Sequence, residues 1–177
     1  MKRLFIAIDF PEQIKQRLSQ LCYGLKGARW IPTEQFHITL KFIGDTNERD
    51  FVEIQEALRE IEVPSFELKL KGLGCFPPRK EPKVLWVGIE KNESLLRLRN
   101  KVERTLAQIG VEREQRKFSP HLTLARLKNT TSGQIGNFIA ANGLFQTESI
   151  PISEFHLYSS VLTEKGAIHK IEETYFL

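Results

Sequence analysis

With 177 residues, 41% of them apolar and 27% charged, the chain has enough nonpolar material for one packed domain or two small lobes. A formal charge of +4 and an isoelectric point near 9.1 favour an anionic partner without demanding one. No run approaches 18 consecutive apolar residues, and Cys22 and Cys75 have neither metal nor disulfide spacing, which excludes a membrane span and a disulfide-stapled scaffold. The expectation is a cytoplasmic monomer.

Residues 4–10 read as a strand, too short and too interrupted by Asp9 for the apolar stretch of a signal peptide. Pro11 stands where a first helical turn tolerates it. Ile14, Leu18, Leu21, Cys22 and Leu25 then recur at helical spacing, predicting an amphipathic helix that ends near Gly24 or Gly27. A strand over about 36–43 is closed by Gly44-Asp45. Phe51, Ile54, Leu58 and Ile61 mark a second helix, stopped by Pro64, and residues 66–70 alternate as another strand. Residues 71–83, with two glycines, three prolines and four basic residues, read as the connection between two halves.

Beyond that connection the order recurs. Residues 84–89 form a strand; Leu95, Leu98, Val102, Leu106 and Ile109 share one face of a helix that Gly110 ends; a strand over about 121–127 follows. A weaker helix carries Ile135, Phe138 and Ile139. A hairpin of 154–162 and 168–176, turned at Glu164-Lys165-Gly166, completes the chain.

Two of these strands carry the same four-residue pattern, His37-Ile38-Thr39-Leu40 and His121-Leu122-Thr123-Leu124. Period-2 alternation puts His and Thr on one face and the apolar pair on the other. Either copy alone reads as an ordinary strand with a semi-buried histidine. With four histidines and ten threonines in the chain, two of four opening the pattern by chance is on the order of one in a thousand. The motifs lie 84 positions apart and the first strands of the two halves, at Leu4 and Val84, lie 80 apart, so the chain reads as an internal duplication. The fold expected is α+β and bilobed: two antiparallel sheets backed by helices around a central cleft. Its lobes would span about 1–75 and 84–177, the second including the terminal hairpin 153–177.

A cleft holding two imidazoles and two hydroxyls suits paired acid–base chemistry, because a histidine near pKa 6.5 serves in either form at neutrality. Two histidines are too few for a well-held catalytic zinc, and no HxxxH or HExxH spacing occurs; neither metal nor cofactor is expected. In-line cleavage of a phosphodiester needs one proton removed and one delivered on opposite sides of phosphorus, which His37 and His121 could supply, with Thr39 and Thr123 donating to the phosphoryl oxygens. Strand parity adds Lys41 to the same face, where it could neutralise phosphate. Phe118, Phe36 and Trp30 could stack a terminal base, and Arg79, Lys80 and Lys83 form a basic loop along which an RNA backbone could run. His156 and His169 lack a threonine partner and read as structural.

These two motifs, with Trp30-Ile31-Pro32, Phe118-Ser119-Pro120 and Phe76-Pro77-Pro78 around them, make the chain resemble the two-histidine phosphoesterases, most closely the RNA 2′,3′-cyclic phosphodiesterases, also described as 2′-5′ RNA ligases. The resemblance implies the bilobed fold and a metal-independent opening of a 2′,3′-cyclic phosphate to a 2′-phosphate. It implies His37 as proton donor to the leaving 3′-oxygen and His121 as the acceptor that activates water. It also implies a phosphate contact at Arg126, which strict alternation puts on the wrong face, so a bulge or strand end is required there. The substrate expected is an RNA with a 2′,3′-cyclic phosphate terminus or a small cyclic nucleotide. Ligation through the same site, and a binding module without turnover, are the competing readings.

Overall fold

The computed structural model describes residues 1–177. In chain order the elements are β1 (Lys2–Asp9), α1 (Glu12–Ser19), β2 (Ala28–Trp30), β3 (His37–Thr46), α2 (Glu48–Arg59), β4 (Phe66–Leu68), β5 (Leu70–Phe76), β6 (Val84–Ile89), α3 (Glu93–Ala107), β7 (Leu122–Leu127), α4 (Ser132–Ala141), β8 (Ile150–Ile152), β9 (Glu154–Thr163) and β10 (Gly166–Phe176). The three longer helices begin where the sequence offers an oxygen to an otherwise unpaired amide. Asn47 caps α2, Asn92 caps α3, and Thr131 with Gln134 closes a capping box on α4.

Antiparallel pairing runs β10-β9-β1-β3-β7-β6-β5, with β2 also on β7, and a small second sheet joins β4 to β8. β10-β9-β1-β3 and β2-β7-β6-β5 are well-registered half-sheets, but β3 and β7 share a single registered pair, Ile38 opposite Leu122. The molecule is thus an α+β internal duplication whose halves meet at the repeated motif. One core of 33 buried residues runs behind both, with Ile38, Leu40, Leu122 and Leu124 all in it, so the apolar side of each motif faces the helices. No helix is long and apolar enough to cross a membrane.

Several boundaries differ from the sequence reading. α1 stops at Ser19; Leu21 and Cys22 continue the chain in tight turns and only partly pack on the core. The region read as a linker contains β5, because the glycine that disguises it serves packing: a Cβ at Gly74 would run into the Trp86 ring lying across the strand. The terminal hairpin, assigned by sequence order to the second lobe, pairs through β9 with β1 of the first.

Candidate active site

β3 and β7 are antiparallel about the Ile38–Leu122 pair, so His37 is set toward Thr123 and Thr39 toward His121. All four side chains line one cleft of about 440 Å³ on the face away from the core. Both motif strands then depart from strict alternation at the same place. Ala7 pairs with Thr39 but Ile6 pairs with Lys41, skipping Leu40; Trp86 pairs with Thr123 but Leu85 pairs with Ala125, skipping Leu124. These are matched β-bulges, each of which inverts the parity of the residues that follow it up to any further shift in register.

That inversion corrects one expectation and supplies what another required. Lys41 does not reach the cleft. The bulge turns it into the protein, where its Nζ donates to Glu103 Oε1 at 3.0 Å, Glu103 Oε2 at 3.1 Å and the Glu112 carbonyl at 2.9 Å. Arg126 comes onto the Thr123 face and lines the cleft. Phe118 is also displaced from its expected role: it packs against the core under the Arg99 guanidinium, 5.1 Å from the ring centroid, and does not line the cleft. Phe36 is fully buried, whereas Trp30 forms part of the cleft wall while leaning on Phe138.

Each motif histidine is held the same way. His37 Nδ1 lies 2.6 Å from the Gln35 carbonyl and His121 Nδ1 2.7 Å from the Ser119 carbonyl, in each case two residues upstream. A carbonyl can only accept, so Nδ1 carries the proton and Nε2 is left as the reactive nitrogen. The two Nε2 atoms then differ. That of His37 accepts from the Thr39 hydroxyl at 3.0 Å, while that of His121 has no protein partner. Aromatic rings back both: Phe5 sits 5.2 Å from His37 and Phe76 5.1 Å, edge-on, from His121.

Electrostatics separate the pair further. Burial is the main cause that lowers the His37 pKa to about 4, and a neighbouring His169 works in the same direction, against the Gln35 carbonyl and Asp9, which raise it. Asp9 is occupied by Lys15, whose Nζ lies 2.7 Å from Oδ1. A pKa this far below neutrality makes the uncharged imidazole the favoured form of His37 at physiological pH.

Residues that sequence reasoning passed over complete the walls. His169 on β10 lines the cleft with its ring centroid 5.6 Å from that of His37, edge-on; its sequence context lacks the threonine of the motif, and only the pairing of the hairpin with β1 brings it near. His156 is buried and bonded to Thr174 Oγ1 at 2.9 Å, a structural role. Arg29, Gln35 and Lys165 also face the cleft. No three or more His, Cys, Asp and Glu side chains cluster closely enough to hold a metal ion.

Comparison with known proteins agrees with this construction. The sequence model of a family described as LigT like phosphoesterase matches residues 8–86 and again residues 87–169, one match to each half. An RNA 2′,3′-cyclic phosphodiesterase of Archaeoglobus fulgidus is 30% identical over 171 residues, covering 95% of this chain and 96% of its own. One of Aeropyrum pernix is 38% identical over 142 residues, 79% of this chain and 81% of its own. Among solved structures, TT0787 of Thermus thermophilus superposes with a TM-score of 0.81 at 26% identity, over 99% of this chain and 97% of that one.

Proposed function

Because the chain belongs to the LigT-like phosphoesterases, we propose that it hydrolyses the 2′,3′-cyclic phosphate at an RNA end to a 2′-phosphate, using His37 and His121 as the acid–base pair. One observation carries this reading: two imidazoles, each held through Nδ1 by the backbone carbonyl two residues upstream, line the same cleft as two threonines and the Arg126 guanidinium. A binding module needs no such paired proton carriers.

His121 Nε2, free of any protein partner, takes a proton from water as the water oxygen bonds to phosphorus. The bond from phosphorus to O3′ breaks on the opposite side, and His37 Nε2–H delivers a proton to that oxygen, leaving a 3′-hydroxyl and a 2′-phosphate. Thr123 and Arg126, which both line the cleft, donate in this reading to the non-bridging oxygens as these gain charge. Burial favours the neutral form of His37, so the proton that it donates is taken up as the substrate binds. A phosphate anion beside the ring favours the imidazolium and raises its pKa from about 4. As the ring protonates, the Thr39 hydroxyl, which donated to Nε2, is released to turn toward phosphate.

Incubation with a 2′,3′-cyclic phosphate oligonucleotide in excess EDTA is expected to give the 2′-phosphate product. His37→Ala and His121→Ala should each lower the rate by roughly 10²–10⁴ while leaving the melting transition cooperative. An absolute metal requirement, or turnover that survives either substitution, overturns the assignment.

A further inference from the structure

The rim of the cleft holds more positive charge than one phosphate uses. Arg29 on β2 and Arg126 on β7 are registered partners across the two strands, both exposed and both facing the cleft. Like charges directly opposed weaken a strand pair. Neither guanidinium, nor the Lys165 ammonium at the turn between β9 and β10, forms an ion pair with any carboxylate. The hairpin tip is fastened over this spot: Gln35 Nε2 donates to the Ala167 carbonyl at 2.6 Å, and Gly166 is so near Arg29 that a Cβ there would lie 3.2 Å from Nη2. Three exposed cations thus line one cleft with no carboxylate paired to any of them, so their fields add and draw in an anion.

We propose that Arg29 and Lys165 form a second phosphate subsite beside the histidine pair, which takes the phosphodiester one nucleotide upstream of the cyclic end. Arg126 links the two positions: it follows Thr123 on β7, is the strand partner of Arg29, and lines the same cleft as both. This deepens the phosphodiesterase reading and rests on it for the identity of the first phosphate. A lone cyclic nucleotide fills the histidine position and leaves Arg29 and Lys165 uncompensated; an RNA end satisfies both. The enzyme is therefore built for oligonucleotide termini over mononucleotides, without base readout.

The test separates binding from turnover. Calorimetric titration compares adenosine 3′-monophosphate with adenosine 3′,5′-bisphosphate, and kinetics compare adenosine 2′,3′-cyclic phosphate with a diadenosine carrying the same cyclic end. The bisphosphate should bind about tenfold tighter than the monophosphate, the gain expected of one charge-assisted contact. Arg29→Gln should bring that ratio close to one, and Arg29→Lys should restore part of it; kcat/KM should favour the diadenosine by a similar factor and lose that preference in Arg29→Gln. Equal affinities in the wild type, or a ratio that survives Arg29→Gln, overturns the subsite. A gain for the bisphosphate with none for the diadenosine overturns the RNA assignment in favour of a mononucleotide 5′-phosphate. The expected binding ratio without turnover of either cyclic substrate supports the subsite and refutes the phosphodiesterase reading alone.

Discussion

Replacing Lys41 with methionine distinguishes a structural cation from a phosphate ligand. The ammonium is almost wholly buried, 5% exposed, with three oxygen acceptors, and its partner Glu103 is equally enclosed at 6%. Removing it strands the Glu103 carboxylate with the Glu114 amide at 3.3 Å and Arg99 Nη2 at 3.8 Å. Breaking one side of a buried pair typically costs about 3–5 kcal/mol, and the surviving Arg99 puts the expected loss near 3 kcal/mol. For a chain of this length that lowers the melting temperature by roughly 6–12 °C. Differential scanning calorimetry measures the loss, and steady-state kinetics below the transition should find KM and its salt dependence unaltered. Lys41→Met combined with Glu103→Leu should recover part of the stability, because the stranded carboxylate is removed and the only charged group to lose a partner is Arg99, which also lies over the Phe118 ring. A melting temperature within about 1 °C of wild type, together with a large rise in KM, would refute the reasoning and return the lysine to the substrate.

Three further outcomes follow from the site. Below about pH 6.5 the unfolded chain binds a proton at His37 that the folded chain refuses until about pH 4, so stability is full above this window and falls as pH drops through it. His37→Gln should flatten the slope by up to about 3 kcal/mol, read from urea midpoints at pH 7 and pH 4.5. Some slope remains, because burial also lowers the pKa of His156 and His169; parallel curves for the two proteins would contradict the burial of His37. Phe118→Leu, away from the cleft, should cost stability and leave KM for an oligonucleotide unchanged, whereas a selective loss of affinity would put that ring back on the substrate. Thr123→Val should lower kcat by less than His121→Ala does; an equal loss would mean that the hydroxyl takes part in proton transfer.

The amphipathic helices and the two motif strands were legible because their patterns repeat at 3.6 and 2 residues and because the second half echoes the first. What lay outside the sequence is non-local or one residue long. A bulge at Leu40 or Leu124 adds no apolar signal, since the skipped residue and the next one, Lys41 or Ala125, both turn inward. Parity counted from His37 therefore placed Lys41 wrongly, and parity counted from His121 argued against Arg126. The resemblance to a family recovered Arg126 where alternation could not. His169, Lys165 and Arg29 reach the cleft only because β9 pairs with β1 and β2 pairs with β7, contacts spanning much of the chain that no local pattern announces. The ring of Phe118 was misjudged for a related reason: its partner, Arg99, lies on α3.

A single rung of hydrogen-bonded register, Ile38 with Leu122, ties the half-sheets together. An extended seam would fix the dihedral between them through backbone geometry; a solitary rung acts as a pivot and leaves that angle to the side chains packed behind it. The junction lies between the two imidazoles, while each ring is held to the backbone two residues upstream of it. In the proposed reaction the gap that a phosphorus atom spans would then be set by core volume, so that trimming a residue such as Ile38 would be felt at the histidines from the side of the molecule that never meets the substrate.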